Sequence, residues 1–353
     1  MKLCNISTPA LVVFEKPFLS NREKMKSLLS GSSLKFRPHY KSHKCAHIAH
    51  EQIKDGAVGM TCAKLDEAID LADAGIEDIL IANQIVDKAK IARLAQLALS
   101  CRLTVCVDNE ENIIELENAA AHALSTLYCL VEYEIGMQRC GVKRKEDVLR
   151  LASLIESCPH LVFDGLQAYA GHISHTVSAE KRKSETEKNA KKIREVISYL
   201  SQKGVEVRVV SGASTGTAAI KAAEGLYTEL QAGSYLFMDS TYAELGLPFE
   251  NSLFLLTTVV SVNDGLVIVD AGVKSCGVDQ GAPKPFGFEA ERIDCCEEHL
   301  QIFSPSKKFK VGDRLLLIPA HCCSTVNLHD RIYMVDGDRV VDRLMITARG
   351  GFR

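Results

Sequence analysis

Four short stretches of the chain combine side chains whose types and spacing could do chemistry. The first runs from Arg37 to Lys44 and places two lysines, Lys41 and Lys44, among an arginine and two histidines. Cationic neighbours lower the pKa of a lysine amine, and a neutral amine can attack a carbonyl carbon. The stretch therefore indicates a site for Schiff-base chemistry or, if its side chains are solvated, a basic surface loop.

The second stretch joins an apolar run to a helical pattern through small and hydroxyl-bearing residues. Its candidate ligand-binding residues are Ser211, Gly212, Ala213, Ser214 and Thr215. Backbone N–H groups exposed at such a strand-to-helix turn bind phosphate. A second small turn, Gly233-Ser234-Tyr235, could close the other side of that site. The alternative is a capped helix start with a tight turn and no ligand.

The third stretch contains His321 and Cys323, two residues apart after a strand-like run. In an extended segment these two side chains point the same way, and an imidazole with a thiolate can hold zinc or a similar ion. Two protein ligands leave positions open for water and substrate, as in catalytic metal sites. The alternative is a buried histidine beside inert core cysteines.

The fourth stretch, from Gly165 to His175, contains polar side chains at the carboxyl end of a predicted strand. The polar candidates there are Gln167, Tyr169, His172 and His175. In a barrel of parallel strands such residues line the catalytic mouth. The alternative is a polar loop without a function of its own.

Short apolar runs alternate with amphipathic segments between residues 8 and 245. The predicted strands lie at Ala10–Phe14, Ala57–Met60, Ile79–Ala82, Leu103–Val107, Leu127–Val131, Leu161–Leu166, Val205–Val210 and Leu230–Gly233. The predicted helices lie at Lys64–Ala74, Val86–Ala98, Asn109–Ala121, Lys145–Ser157, Ala179–Lys203 and Ala218–Glu224. This alternation predicts an α/β fold built as a (β/α)8 barrel of the TIM type, with an open doubly wound sheet as the alternative.

The pattern changes after residue 250, where strand-like runs follow one another without a long helical segment. These runs are Leu253–Val262, Leu266–Val269, Leu300–Phe303, Arg314–Pro319, Arg331–Val335 and Val340–Thr347. Turn residues such as Asn263-Asp264-Gly265 separate some of them, as in hairpins. We therefore predict two domains, a barrel over residues 1–248 and an all-β domain over residues 249–353 that carries the metal pair.

Composition excludes several other classes of protein. The net charge is −3, and the basic residues from Lys181 to Lys192 alternate with glutamates, which is typical of a solvated helix face and not of a nucleic-acid site. No run of apolar residues is long enough to span a membrane. The thirteen cysteines are scattered and form no CxxC pair. We therefore expect reduced thiols and a cytoplasmic protein with no membrane or nucleic-acid partner.

The four stretches, taken in order, resemble one family: the D-threonine aldolases and D-serine dehydratases, which are pyridoxal-phosphate enzymes related to alanine racemase. The resemblance extends over nearly the whole chain. The matching motifs are Arg37–Lys44, Ile81–Gln84, Glu134–Val142, Gly165–Tyr169, Ser211–Thr217, Gly233–Asp239, Asp270–Gly272 with Lys274, Glu297–His299 and His321–Asp330.

The resemblance implies a role for each matching position. Lys41 would carry pyridoxal 5'-phosphate, Arg139 would approach the cofactor ring, and Gln167, Tyr169 and the two small turns would bind the rest of the cofactor. His321 and Cys323 would hold one divalent metal, with zinc favoured and manganese or magnesium also possible. Members of the family commonly pair as homodimers and act on a small D-amino acid, so we expect both here.

Two positions depart from the family pattern. Aldolases of the family carry an aspartate where this chain has Cys323, and a histidine–cysteine pair is similar to the dehydratases. Ala213 stands where the family often has glycine in the phosphate loop. We expect alanine to be tolerated there only if its φ is negative.

The resemblance implies a lyase that acts on a D-3-hydroxy amino acid. Cys323 favours dehydration of D-serine, D-threonine or 3-hydroxy-D-aspartate to a 2-oxo acid and ammonia, in which Lys41 would remove the Cα proton. The alternative is retro-aldol cleavage to glycine and an aldehyde, with His172 or His175 as the helper base. An amino-acid racemase, which needs no metal, and a non-catalytic cofactor carrier are further alternatives.

Overall fold

The computed structural model describes residues 1–304 and 307–353, whose contacts group into two compact units. The barrel unit consists of residues 26–41, 48–233 and 351–353, and the strand unit of residues 1–25, 42–47 and 234–350. Each unit therefore consists of stretches that are separate in sequence. The predicted domain limits, 1–248 and 249–353, stay a prediction. No helix in the described ranges combines the length and the apolar composition of a membrane span.

Strands and helices alternate through the barrel unit, and strands dominate the strand unit. The strands are β1 Ala10–Phe14, β2 Lys35–Phe36, β3 Met60–Cys62, β4 Asp78–Ile81, β5 Arg102–Val107, β6 Leu127–Glu132, β7 Leu161–Ala168, β8 Val209–Gly212, β9 Glu229–Leu230, β10 Leu253–Asn263, β11 Leu266–Val269, β12 Lys284–Pro285, β13 Arg292–Cys295, β14 Leu300–Phe303, β15 Arg314–Ile318, β16 Arg331–Asp336 and β17 Arg339–Met345. The helices are α1 Glu15–Leu29, α2 Ala46–Lys54, α3 Leu65–Asp73, α4 Lys88–Leu97, α5 Glu110–Ala123, α6 Lys145–Glu156, α7 Gly171–Ser174, α8 Ala179–Gln202, α9 Ala218–Glu224, α10 Ser240–Ala243 and α11 Cys322–Val326.

The barrel unit contains an eight-stranded parallel sheet in the order β2-β9-β8-β7-β6-β5-β4-β3. A parallel bridge between His39 and Thr61 connects the two ends of this sheet. The strands are buried along most of their length because helices cover the outer face, so they are apolar on both sides. The predicted (β/α)8 architecture is confirmed, and with it the separate, mostly antiparallel strand domain.

Side-chain caps begin three of the barrel helices, each close to the predicted start of its helix. Asp87 accepts a hydrogen bond from the backbone of Lys90 at the start of α4, and Asn109 accepts one from Asn112 at the start of α5. Ser178 does the same at the start of α8. These caps satisfy backbone N–H groups that a helix leaves unpaired at its first turn.

Gly165 allows β7 to pass close to the neighbouring strand β8 on its way to the barrel mouth. Its φ is +146°, and a Cβ atom there would lie 1.9 Å from the carbonyl oxygen of Val209. The pairing of β6 with β7 shifts register at the same level, between Cys129 and Leu130. Only glycine permits this close approach. The carboxyl-terminal half of β7, which ends in Gln167 and Ala168, depends on it.

The strand unit contains a mostly antiparallel sheet in the order β13-β14-β11-β10-β1-β16-β17, with β15 paired to β10 and β12. Its β1 pairs antiparallel with β10 and parallel with β16. The prediction that Ala10–Phe14 is the first barrel strand is therefore wrong, and Lys35–Phe36 supplies that barrel strand instead. A buried apolar run does not specify its pairing partner, and a two-residue strand leaves no recognisable pattern.

Arg37 makes a buried ion-pair network in the barrel unit instead of contributing to a basic surface loop. Its guanidinium donates to Glu229 Oε1 at 2.8 Å and Oε2 at 3.0 Å, and to Asp78 Oδ1 at 2.8 Å. These carboxylates raise the pKa of Arg37 above its ordinary value although burial works in the opposite direction. The network ties β9 and β4 to the segment that leads to Lys41.

Lys221 on α9 is buried, and we expect it to make the stability of the barrel unit depend on pH. Its ammonium lies 3.8 Å from the centre of the Tyr227 ring and 3.8 Å from Glu224 Oε2. Burial lowers the pKa of Lys221 to about 8, with Glu224 opposing that shift. An unfolded lysine keeps a pKa of about 10.4, so between these values only the unfolded state holds the proton. The contribution of Lys221 to stability therefore increases as pH rises through this window.

We expect replacement of Lys221 by methionine to remove this pH dependence. Relative to Lys221→Met, the wild type should gain about 2 kcal/mol of unfolding free energy between about pH 8 and about pH 10. Urea denaturation of both proteins across that range measures the difference, in which the titrations of other groups cancel. A constant difference would show that Lys221 keeps an ordinary pKa in the folded protein.

Candidate active site

A cleft opens at the carboxyl ends of the barrel strands, with an empty volume of about 520 Å³. Its lining residues are His39, Lys41, Ala63, Ala82, Asn83, Arg139, Gln167, Tyr169 and Gln231. Most of them follow the last residue of a parallel strand, which is where barrel enzymes place their catalytic groups. The cleft brings together four of the predicted site residues: Lys41, Arg139, Gln167 and Tyr169.

Lys41 and Arg139 both approach Tyr169 within this cleft. The Lys41 ammonium lies 5.9 Å from the centre of the Tyr169 ring, and the Arg139 guanidinium lies 5.8 Å from it. An aromatic ring face attracts cations at such distances. One cleft therefore contains an amine and a guanidinium. The amine can bind a carbonyl carbon, and the guanidinium can bind a ring nitrogen or an anion.

Glu132, which the sequence analysis did not single out, positions Arg139. It is the last residue of β6, and its Oε1 lies 3.8 Å from the Arg139 guanidinium. Gln84 donates a hydrogen bond to the other carboxylate oxygen at 2.6 Å. Burial raises the pKa of Glu132, while Gln84 and Arg139 oppose that shift. Its place one residue after a predicted strand was the only indication in the sequence.

Gln231 connects two predicted residues and was also missed. Its side-chain amide donates to Gln167 Oε1 at 2.8 Å and to Ser211 Oγ at 2.8 Å. All three side chains are buried. Buried polar groups of this kind keep a fixed orientation because a change would leave hydrogen bonds unmade. The network therefore joins the wall of the cleft to the start of the predicted phosphate loop.

The predicted phosphate loop leaves β8 as a tight turn with buried hydroxyl groups. A Cβ atom on Gly212 would lie 2.3 Å from the carbonyl oxygen of Ala168, so glycine is required there. Ser174 donates to Ser214 Oγ at 2.8 Å, and the Ser214 backbone donates to Thr217 Oγ1 at 3.1 Å. Thr215 is buried beside them. This donor-rich turn, followed directly by a helical segment, fits an anionic phosphate group.

Ala213 adopts a φ of +66°, so the expectation of a negative φ at this position is wrong. The turn from Gly212 into the following helical segment requires the left-handed region, which costs a residue with a Cβ about 1–2 kcal/mol. Ala213 therefore occupies a strained position that glycine would relieve.

We expect Ala213→Gly to raise the unfolding free energy by about 0.5–1 kcal/mol, because the relief of strain exceeds the added entropy of the unfolded chain. Ala223→Gly is the matched control, since Ala223 is an exposed residue within α9. That change should lower stability by about 1 kcal/mol. Urea denaturation of the two variants would contradict the assignment if both lost stability to the same extent.

The two predicted helper histidines lie on and just after α7. His172 is on the helix, and a Cβ atom added to Gly136 would lie 3.0 Å from the ring of His172. His175 caps the carboxyl end of the same helix. Neither histidine belongs to the set of described residues that line the cleft. Their catalytic role therefore stays a prediction.

The second small turn is divided between the two units. Gly233 belongs to the barrel unit, while Ser234 and Tyr235 belong to the strand unit, where both are buried. The Tyr235 ring packs edge-on against Phe249, with 5.7 Å between ring centres. The role of these three residues in binding a phosphate stays a prediction.

His321 and Cys323 lie side by side in the strand unit, but not on an extended segment as predicted. His321 has an extended backbone and precedes α11, whereas Cys323 is already in the first turn of that helix. Burial works to lower the pKa of His321, but contacts with Cys323 and Asp279 raise it to about 9. The Cys323 Sγ lies 3.8 Å from the hydroxyl of Ser42, which follows Lys41 in the chain.

The residues of the cleft fit pyridoxal phosphate. The cofactor needs an amine for its aldehyde, a polar partner for its ring and an anion site for its phosphate. Lys41, Arg139 and the Ser211–Thr215 turn are residues of the right chemistry within one unit. The glycine required at Gly212 packs this turn against the Ala168 carbonyl and the Tyr227 ring, which fixes the course of its backbone.

The pair in the strand unit fits a divalent metal with two protein ligands. Imidazole and thiolate are the ligands that zinc prefers, and a catalytic site leaves its other positions to water or substrate. In residues 1–304 and 307–353 no group of three or more histidine, cysteine or acidic side chains is placed to hold a metal ion. An ion on His321 and Cys323 would therefore need further ligands from water or substrate.

Comparison with known families identifies both parts of the chain. The family described as "Alanine racemase, N-terminal domain" matches residues 17–241. A second family, a serine dehydratase domain, matches residues 252–335. The first match covers the barrel strands and the cleft residues, and the second covers most of the strand-rich part, including His321 and Cys323.

Among the similar proteins that match along nearly the whole chain are two aldolases and a dehydratase. The chain is 38% identical to the D-threonine aldolase of Arthrobacter sp, over 99% of this chain and 94% of that protein. It is 36% identical to the 3-hydroxy-D-aspartate aldolase of Paracoccus denitrificans (strain Pd 1222), over 98% and 92%. The D-serine dehydratase of Dictyostelium discoideum is 24% identical over 96% of this chain and 95% of that protein.

A solved structure agrees with the fold along the entire chain. The D-threonine aldolase from Filomicrobium marinum superposes with a TM-score of 0.98 and is 36% identical, covering 100% of this chain and 98% of that chain. The D-threo-3-hydroxyaspartate dehydratase from Delftia sp. HT23, at 23% identity and a TM-score of 0.88, shares the fold.

Proposed function

This chain belongs to the D-threonine aldolase and D-serine dehydratase family of alanine racemase-like enzymes and is a pyridoxal-phosphate-dependent lyase, and we propose that it is an aldolase that cleaves a D-3-hydroxy amino acid to glycine and an aldehyde. One observation carries the choice of reaction. Two aldolases align with the chain at 38% and 36% identity, whereas the D-serine dehydratase and the D-threo-3-hydroxyaspartate dehydratase align at 24%.

The preference for dehydration, which rests on Cys323, is not supported by these comparisons. A thiolate donates more charge to a metal than a carboxylate does, but this difference does not determine which substrate bond breaks. The comparisons support the alternative, retro-aldol cleavage. Dehydration stays as the second candidate because His321 and Cys323 form the dehydratase-like pair.

The cofactor and the metal would be held by different residues of the chain. Lys41 would bind the aldehyde of pyridoxal phosphate, Arg139 would face its ring, and the Ser211–Thr215 turn would bind its phosphate. When bound, the cofactor supplies an electron sink for negative charge at the substrate Cα. An ion on His321 and Cys323 would supply a Lewis acid for substrate oxygens, with zinc favoured over manganese or magnesium.

The proposed reaction requires two proton movements that residues of this chain can perform. The 3-hydroxyl must lose its proton as the Cα–Cβ bond breaks, and an imidazole of His172 or His175 is a base of suitable strength. Cα must then gain a proton to give glycine, and the Lys41 ammonium is the proposed donor. Dehydration would instead require Lys41 to take the proton from Cα.

The polar residues around the cleft would keep the reacting groups in place. Glu132 and Gln84 hold Arg139 from one side, and Gln231 fixes Gln167 and Ser211 from the other. Such fixed partners reduce the reorganisation that a reaction has to overcome. We also propose a homodimer, because of the family resemblance, and a cytoplasmic location, because of the scattered cysteines.

The proposal is tested with the two enantiomers of threonine and with a chelator. We expect the enzyme loaded with pyridoxal phosphate to consume D-threonine and not L-threonine, to lose this activity after treatment with EDTA, and to regain it with zinc or manganese. Conversion of one enantiomer into the other with full activity in EDTA would contradict the proposal and support a racemase.

A further inference from the structure

We infer that Asp279 is a positioning residue for the metal pair: it holds the His321 ring with Nδ1 as the hydrogen-bond donor, so that Nε2 is the nitrogen that binds the ion. The inference deepens the proposed function and rests on the metal site that this function includes. Its evidence lies entirely in the strand unit. Asp279 belongs to a loop 42 residues before His321, and no sequence motif connected them.

Both oxygens of the Asp279 carboxylate are engaged by the segment that carries the metal pair. Oδ2 lies 2.6 Å from His321 Nδ1, and Oδ1 accepts a hydrogen bond from the hydroxyl of Ser324 at 2.6 Å. Of these two partners, His321 precedes Cys323 in the sequence and Ser324 follows it. A carboxylate held at both oxygens fixes the plane and rotation of the imidazole that it contacts.

The loop that carries Asp279 is itself hydrogen-bonded to α11 and packs closely against it. The backbone of Gly277 donates to Thr325 Oγ1 at 3.1 Å. A Cβ atom on Gly277 would lie 2.1 Å from the hydroxyl of Ser324, so only glycine lets the loop approach the helix this closely. The position of Asp279 beside His321 is therefore built into the backbone and does not depend on a flexible side chain alone.

The chemistry of metal-bound histidine gives this contact a function. A histidine that binds a metal through one nitrogen commonly donates its other ring N–H to a carboxylate, which fixes the tautomer and increases the basicity of the ligand. Nδ1 of His321 faces Asp279, so the lone pair of Nε2 is left for the ion. Asp279 is not counted as a third ligand, because no three-ligand group exists among the described residues.

Metal binding by variant proteins tests this role without measuring catalysis. Protein loaded with pyridoxal phosphate is titrated with Co²⁺, and the near-ultraviolet absorption from Cys323 thiolate bound to cobalt reports occupancy. We expect Asp279→Ala to weaken Co²⁺ binding about 10–100-fold. Asp279→Asn should weaken it less, because the amide oxygen can still accept the Nδ1 hydrogen bond. Asp338→Asn is the matched control, since Asp338 is an exposed carboxylate of the same unit whose charge pairs weakly with Lys2.

The possible results separate this inference from the proposed function. Equal Co²⁺ affinity in wild type and Asp279→Ala, or a loss of thermal stability without a loss of affinity, would overturn the role of Asp279 and leave the aldolase proposal standing. A wild-type protein with no cobalt–thiolate absorption, or with absorption that survives Cys323→Ala, would overturn both the metal pair and its positioning residue. Graded weakening in the order Asp279→Asn, then Asp279→Ala, with Asp338→Asn unchanged, would establish the role.

Discussion

Replacement of Lys41 by alanine is expected to abolish the visible absorption of bound pyridoxal phosphate and to reduce the cleavage rate by about 10⁴-fold or more. The change removes both the amine that binds the cofactor and a group that transfers protons. Lys41 is the lysine that lines the cleft together with Arg139, Gln167 and Tyr169. Absorption spectra of the reconstituted variant and a single-turnover assay measure the two effects.

Lys44→Ala is the control for this prediction, because Lys44 belongs to the same basic stretch but has a different environment. Its ammonium donates to Asn327 Oδ1 at 2.8 Å in the strand unit. The Lys44→Ala protein should retain the absorption of the bound cofactor. If the band disappeared in Lys44→Ala and persisted in Lys41→Ala, the assignment of the cofactor lysine would have to be reversed.

Removal of the Arg37 side chain is expected to cause the largest loss of stability of any charged residue in the barrel unit. Arg37→Ala would leave Glu229 buried without its cationic partner and would deprive Asp78 of its closest one. Breaking a buried ion pair by removing one partner costs about 3–5 kcal/mol. Urea denaturation followed by circular dichroism would measure this loss.

Arg150→Ala provides the comparison, since Arg150 on α6 pairs with Glu110 at an exposed position. An exposed ion pair contributes about 0–1 kcal/mol, so this variant should unfold almost as the wild type does. If Arg37→Ala were equally mild, the guanidinium would have to be solvated in the folded protein. The prediction would then be wrong, and the basic surface loop considered for Arg37–Lys44 would be the better description.

Most barrel elements could be predicted from sequence because each has a pattern of its own. Buried parallel strands are continuous apolar runs, and helices such as α5 and α8 show both a period and a capping residue. The exceptions lack such a pattern. Lys35–Phe36 is too short, and Ala10–Phe14 is equally compatible with either sheet.

The candidate site was predictable where one stretch of chain contains the chemistry. Lys41, Gln167 and Tyr169 were each identified from a local motif, Arg139 was identified through the family resemblance, and all four lie together in the cleft. Glu132 and Gln231 were not identified, because their importance depends on partners far away in sequence. Distance in sequence also hid Asp279, which only the tertiary fold brings to His321.

Local backbone conformation was the other source of error. No local pattern indicates that Cys323 lies in a helical turn, since Cys322–Val326 is too short for a helical period to be recognised. The positive φ of Ala213 was missed because left-handed conformation is expected of glycine and disfavoured for alanine. In both cases the surrounding tertiary structure overrides the local preference.

The identity of the products formed from D-threonine distinguishes an aldolase from a dehydratase. Purified enzyme is supplied with pyridoxal phosphate and zinc or manganese, and glycine, aldehyde, 2-oxo acid and ammonia are each quantified over time. We expect glycine and acetaldehyde in equal amounts, with no ammonia. A 2-oxo acid formed together with ammonia would contradict it and would show that Cys323 marks a dehydratase after all.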